Sequence, residues 1–185
     1  MLIEPVDDYG NLFFVRDVVP VELVQKIVCT DWLTKTWQRQ SGQEQWSRRK
    51  IDRDALPWFD HWQQCIDDLW PVLEDLLKYP LSQWKETAWW VDEPGFVCDI
   101  HTDGEMPGAM QLCWLGNTDL GTVFYHDKSG QQVRYHFPFE SNAGYLMCNR
   151  ADNTGYRHLQ WHGMLTPVPE QTFRLTSYTW IFPKI

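Results

Sequence analysis

No run of roughly 18 apolar residues occurs in the 185-residue chain, so no segment reads as a membrane-spanning helix. Basic residues are also scarce. Sixteen Lys and Arg stand against 25 Asp and Glu, and the net charge of −9 gives a surface that repels phosphate. General nucleic-acid binding is therefore not expected, and the one basic cluster, Arg48-Arg49-Lys50 with Arg53, is short. There is no C-x-x-C pair. The cysteines are Cys29, Cys65, Cys98, Cys113 and Cys148, an odd set in a chain long enough to bury a core without staples. They read as reduced thiols and point to a cytoplasmic setting. The opening MLIEPVDDYG lacks a basic segment followed by an apolar one, so no secretory signal is expected. Internal repeats, linker-like tracts and low-complexity segments are missing too.

What the chain has in quantity is aromatic residues, 15% of the total with 12 Trp, which favours a β-rich fold around a large aromatic core. A single domain over residues 1–185 is expected, mostly helical through residue 80 and β from 82 to 182. Leu12-Phe13-Phe14-Val15 reads as a short strand. Pro20 then suits the first turn of a helix carrying Val21, Val24, Ile27 and Val28. Residues 44–53 read as a polar strand. Asp54 is positioned to cap a helix over about 55–69, with Trp58, Trp62, Cys65, Ile66 and Leu69 on one face; Pro71 marks a break before a further short helix. Beyond residue 82 the period changes. Strands are expected near 84–91, 96–101, 109–115, 121–126, 132–139, 143–148, 158–164 and 172–182, separated by turn residues such as Glu93-Pro94-Gly95 and Lys128-Ser129-Gly130. Eight short strands at this spacing predict a mainly β fold with a double-stranded β-helix (jelly-roll, cupin-like) core, the N-terminal helices packing on one sheet.

Three features carry chemistry. His101-Thr102-Asp103 places two metal-ligand side chains at i and i+2, on one face of an extended chain. Chance alone supplies roughly half an H-x-D in a chain of this composition, and the plain alternative is a solvated Asp at a strand end. His162-Gly163 follows His158, four residues earlier. A helical zinc pair would need Glu after the first His, and Leu159 stands there. Finally, strand alternation puts Arg174, Thr176, Tyr178 and Trp180 on one face and Phe173, Leu175 and Ile181 on the other. An inward-facing Arg requires an anion, either a ligand carboxylate or an internal Asp or Glu. Two His, one carboxylate and open coordination positions make the facial set used by non-heme iron(II) oxygenases.

Together these residues resemble the iron(II)- and 2-oxoglutarate-dependent oxygenases, particularly the prolyl-4-hydroxylase-like branch, over residues 84–182. The resemblance rests on Trp90-Val91-Asp92-Glu93-Pro94-Gly95 leading into His101-x-Asp103, on Gln111-Leu112-Cys113-Trp114-Leu115-Gly116-Asn117, on Gly121-Thr122, on His162-Gly163-Met164, and on Pro167-Val168 with Arg174 and Trp180. Val15-Arg16-Asp17-Val18-Val19-Pro20 is similar to the strand-to-helix passage of that branch. The resemblance implies Fe(II) held by His101, Asp103 and His162, with 2-oxoglutarate chelating the metal and its far carboxylate on Arg174, helped by Thr176 or Tyr178. Where the branch often places a Tyr against 2-oxoglutarate, this chain has Trp90 and Trp114, and Gln111 is a further candidate contact. It implies an oxidoreductase that uses molecular oxygen to hydroxylate a C–H bond, with release of succinate and CO2. The Asp ligand argues against halogenation. His162 is preferred over His158 as third ligand because Pro167 turns its strand back into the one carrying Arg174. The two side chains then stand at similar depth on neighbouring strands, and Gly163 leaves room for ion and oxo acid.

Two other classes compete: a non-catalytic jelly-roll module binding carbohydrate or peptide, and a cupin-like metalloenzyme without 2-oxoglutarate. Arg174 beside the ligand set argues against both. The prime substrate is expected to be a protein or peptide side chain, or a small molecule, held by loops near 102–108, 126–132 and 149–157. Oligomeric state is not legible in the sequence.

Overall fold

The computed structural model describes residues 1–6, 11–32, 37–38, 47–78, 80–103, 108–148 and 160–184. In chain order the elements are β1 (Leu2–Pro5), β2 (Leu12–Arg16), α1 (Val21–Val28), β3 (Trp37–Gln38), β4 (Arg48–Ile51), α2 (Phe59–Asp68), α3 (Trp70–Leu77), β5 (Leu81–Asp92), β6 (Cys98–His101) and β7 (Gly108–Leu115). They continue with β8 (Thr122–Tyr125), β9 (Val133–Phe137), β10 (Ala143–Cys148), β11 (Trp161–Met164) and β12 (Arg174–Pro183). Two antiparallel sheets face each other. The larger has the order β1-β2-β10-β7-β12-β5-β4-β3 and the smaller β6-β11-β8-β9. This is the jelly-roll-like arrangement predicted from the spacing of turn residues.

Strand alternation divides the side chains of the large sheet into two cores. Outward-facing Trp89, Val91, Met110, Leu112, Trp114, Leu146, Leu175 and Ile181 pack against the helices. Inward-facing Leu12, Phe14, Ala88, Trp90, Ala109, Tyr145, Met147 and Tyr178 meet Phe124 and Phe137 of the small sheet. Each helix offers one apolar stripe at helical spacing: Leu23 and Ile27 on α1, Trp62 and Ile66 on α2, Trp70, Leu73 and Leu77 on α3. Trp89 is the hub of the outer core, with ring centroids of Trp58, Trp62, Trp114 and Trp32 at 4.9, 5.2, 5.3 and 6.0 Å. Among the described residues six Trp, Trp32, Trp58, Trp62, Trp70, Trp89 and Trp114, join this outer core, so part of the aromatic excess seats the helices on one sheet.

The first 80 residues do more than form helices. They also supply β1 to β4, half the strands of the large sheet, and β1 and β3 were not anticipated. Asp54 is not the helix cap. Asp52 caps a 3₁₀ turn at Arg53–Ala55 by accepting from the Asp54 amide at 3.0 Å, and α2 begins later, at Phe59. The break expected near Pro71 falls at Leu69, between α2 and α3; Pro71 lies in the first turn of α3, where its missing N–H has no intrahelical partner to lose.

Candidate active site

β6 and β11 are antiparallel neighbours at the edge of the small sheet, and His162 is the register partner of His101. The next pairing is Met164 with Cys98, so two residues of β6 oppose Gly163 alone. This β-bulge lets Cys98 and His101, three apart, both turn inward. Asp103 lies just beyond the strand end. The potential ligand atoms of His101, Asp103 and His162 all fall within 4.8 Å of one another. His101 Nε2 is 3.5 Å and His162 Nε2 3.8 Å from the Asp103 carboxylate oxygens.

Both histidines are oriented alike. The Nδ1 of His101 is 2.8 Å from the carbonyl of Asp99, and that of His162 is 2.8 Å from the carbonyl of Gln160. A carbonyl accepts only, so each Nδ1 carries the proton and each Nε2 is presented to the centre. Tyr178 donates its hydroxyl to Asp103 Oδ2. Burial pushes the Tyr178 and Tyr145 phenols well above their ordinary values, with Tyr145 and Asp103 adding to the rise at Tyr178 and Asp103 to that at Tyr145, so both remain donors at neutral pH. Burial also works to raise Asp103. The bond to His101, the charge of His162 and the Tyr178 hydroxyl outweigh it and hold the carboxyl low. Hydrogen bonding to Asp103 and Cys98 pushes His101 up to about 10, whereas burial lowers His162.

Behind the ligand set lies a cavity of about 120 Å³, lined by His101, Asp103, His162, Tyr145, Gln111, Arg174 and neighbouring side chains. Arg174 is 2% exposed and aims one Nη at Met164 Sδ and the other at Gln111 Oε1, 3.2 Å away. Gln111 Oε1 also accepts from Thr122 at 2.9 Å. Two donors on that oxygen fix the amide orientation and leave its NH2 as a donor. An internal carboxylate is present as well: Asp92 Oδ2 lies 3.6 Å from Arg174 Nε. That Nε and the buried hydroxyl of Thr176 make no hydrogen bond among the described residues. A second recess, about 300 Å³, opens beside His101 and is lined by Ser47, Arg48, Phe96, Cys98 and Asp99 among others.

The sequence-predicted His101, Asp103, His162, Gln111 and Arg174 are thus brought to one cavity, with Thr176 buried two residues along the same strand face. His158 lies outside the described residues, as does the loop at 149–157. Three expectations need correction. β11 and β12 are not neighbouring strands: they belong to opposite sheets, and Arg174 approaches the His162 strand across the barrel through Met164. Trp114 faces away from the cavity, donating its indole N–H to Ser177 Oγ within the outer core, because it has the outward parity of its strand. Gly163 is small chiefly to admit β6: a Cβ there would lie 2.8 Å from the Cys98 carbonyl oxygen. Arg48, Asp92, Tyr145 and Thr122 were missed as site residues. Tyr145 and Asp92 could have been found by inward parity, but Arg48 only by knowing which strand pairs with β5.

The residues present fit a divalent ion with an oxo dicarboxylate. Two imidazoles that each present Nε2 converge with a carboxylate, and a buried guanidinium with an unsatisfied Nε stands at the cavity floor.

No sequence-family model and no curated protein matches this chain. Solved structures do. A prolyl-4-hydroxylase from Pseudomonas putida superposes with a TM-score of 0.68 at 15% identity, covering 97% of both chains. HygX from Streptomyces hygroscopicus, with nickel, 2-oxoglutarate and hygromycin B bound, gives 0.66 at 11% identity, covering 95% of this chain and 84% of its own. The Arabidopsis thaliana dioxygenase for auxin oxidation, in complex with 2-oxoglutarate, gives 0.58 at 11% identity, with coverage of 95% and 84%. The chain is therefore built on the fold of the iron(II)- and 2-oxoglutarate-dependent oxygenases.

Proposed function

We propose that the chain is a 2-oxoglutarate-dependent non-heme iron(II) dioxygenase that hydroxylates a C–H bond. The carrying observation is the convergence of His101, Asp103 and His162 at one end of a cavity that has the buried Arg174 at its other wall. His101 Nε2, an Asp103 oxygen and His162 Nε2 would hold the iron, which supplies oxygen activation coupled to oxidation of the oxo acid to succinate and CO2. Arg174 binds the far carboxylate by charge-assisted hydrogen bonds, with Gln111, Tyr145 and Thr176 as neutral donors around the chain of the oxo acid. Tyr178 keeps Asp103 oriented as a single ligand by occupying one of its oxygens. The cavity walls, including Trp90 and Trp180, exclude bulk water from the far end.

The recess beside His101 is the place for the prime substrate, a protein or peptide side chain or a small molecule. The test is succinate release by the purified chain with Fe(II), 2-oxoglutarate and oxygen, scored against peptide and small-molecule panels. Metal-dependent 2-oxoglutarate binding by calorimetry accompanies it. A chain that binds neither metal nor 2-oxoglutarate is a binding module, and one that binds metal alone belongs to the cupin-like class.

A further inference from the structure

Asp92 is fully buried at the end of β5, and it is the register partner of two arginines, Arg174 on β12 and Arg48 on β4. The three side chains therefore stand side by side across three adjacent strands. The two arginines share the carboxylate unequally. Arg48 makes two parallel bonds to it, Nε to Oδ1 at 2.5 Å and Nη2 to Oδ2 at 3.1 Å. Among the described residues, Arg174 Nε remains at 3.6 Å without a hydrogen bond, and its terminal nitrogens bond a thioether and an amide oxygen, both neutral. The array carries two positive charges and one negative charge, so one net positive charge is left on these three side chains. That charge matches one ligand carboxylate.

We propose that Arg48 is a positioning residue for the cosubstrate: it engages the Asp92 charge so that Arg174 stays available as a net cation for the far carboxylate. This rests on the reading of the cavity as a 2-oxoglutarate site. Arg48 is itself held in place by aromatic faces, with its guanidinium carbon 4.2 Å from the Phe96 ring centroid and 5.3 Å from that of Trp90. Removing its charge would leave Arg174 as the only arginine beside Asp92 among the described residues. Arg174 would then form a neutral pair with the protein's own carboxylate, and an incoming carboxylate would meet Asp92 as a buried like charge. The N-terminal strand β4 thereby takes part in ligand recognition and does not merely extend the sheet.

The experiment is calorimetric titration of the Mn(II)-loaded full-length chain with 2-oxoglutarate and with 2-oxopentanoate, which lacks the far carboxylate. Arg48→Met should weaken 2-oxoglutarate by about tenfold or more while leaving 2-oxopentanoate within about twofold. Arg48→Lys and the double variant R48M/D92N both keep one net positive charge, and both should bind 2-oxoglutarate within about threefold of wild type. A purely structural role predicts otherwise: both oxo acids weaken together in Arg48→Met, and the added Asp92→Asn gives no rescue. Either result overturns the proposal. If Arg48→Met does not fold, the other two variants decide, since loss of 2-oxoglutarate binding in either overturns it. A wild-type chain that fails to bind 2-oxoglutarate overturns the reading of the cavity itself, and this is distinct from a wild type that binds and variants that do not follow.

Discussion

Arg174→Met removes the cation from the cavity floor and tests the cosubstrate assignment most directly. The fold should tolerate it. Asp92 keeps both bonds to Arg48, and Gln111 Oε1 keeps its bond from Thr122. No buried charge is stranded, and the thioether chain fills much of the space beside Phe139, over which the guanidinium now lies at 5.6 Å. The expected stability loss is about 1–2 kcal/mol, with Tm falling by about 2–4 °C per kcal/mol for a chain of this size. Binding should suffer more. Each charge-assisted bond to a desolvated carboxylate contributes about 1.5–3 kcal/mol. Two are available from the terminal nitrogens, offset by their present contacts with Met164 and Gln111. A net loss of about 2–3 kcal/mol follows, a factor of roughly 30–150 in Kd. Arg174→Lys should recover only part of it, because a point charge lacks the planar fork. The assay is calorimetry of 2-oxoglutarate against the Mn(II)-loaded protein, with thermal melts in parallel. An unchanged Kd in a folded Arg174→Met variant would refute the reasoning and leave Arg174 as a structural partner of Asp92.

Asp103→Ala should abolish stoichiometric binding of Mn(II) or Ni(II), measured by calorimetry, with near-native circular dichroism, since a core of this size does not need the ion. Tyr178→Phe removes the hydroxyl that orients Asp103 and should weaken metal binding by roughly tenfold or more with the fold intact; metal affinity equal to wild type would remove Tyr178 from the site. Gly163→Ala sets a methyl 2.8 Å from the Cys98 carbonyl oxygen and 3.2 Å from Asp99, so β6 must move away from β11. Metal affinity should then fall further than urea-unfolding stability, because the displaced strand carries His101.

Much of the barrel was legible because its punctuation is local. Gly95 and Gly130 adopt positive φ in turns the sequence marks with Pro-Gly and Ser-Gly, and each expected strand beyond residue 82 overlaps an observed one. Period-two alternation also assigned Arg174, Thr176 and Tyr178 to the inner face. What local pattern does not contain is register and sheet membership. Arg48 sits in a stretch that reads as a surface basic cluster, and only its pairing opposite Asp92 converts it into a buried partner of Arg174. The placement of β11 and β12 in opposite sheets is equally non-local. A hairpin through Pro167 is the simplest reading of the sequence, yet the chain crosses from one sheet to the other there.

His101-Thr102-Asp103 and His162-Gly163 look like separate weak motifs, but the structure makes them a single device. Strict alternation along β6 would turn Cys98 and His101 to opposite faces. The bulge opposite Gly163 adds one residue to β6 and brings both inward, so that His101 faces His162 with ring centroids 4.4 Å apart. A bulge needs close backbone approach on the partner strand, and there a side chain would collide with the Cys98 carbonyl. The glycine after the second histidine is therefore coupled to the geometry of the first. Each bland alternative for an isolated histidine explains its own residue alone. The paired register, the matched Nδ1 contacts to carbonyls two residues upstream, and the Tyr178 bond to Asp103 act together to present two nitrogens and one oxygen to the same point.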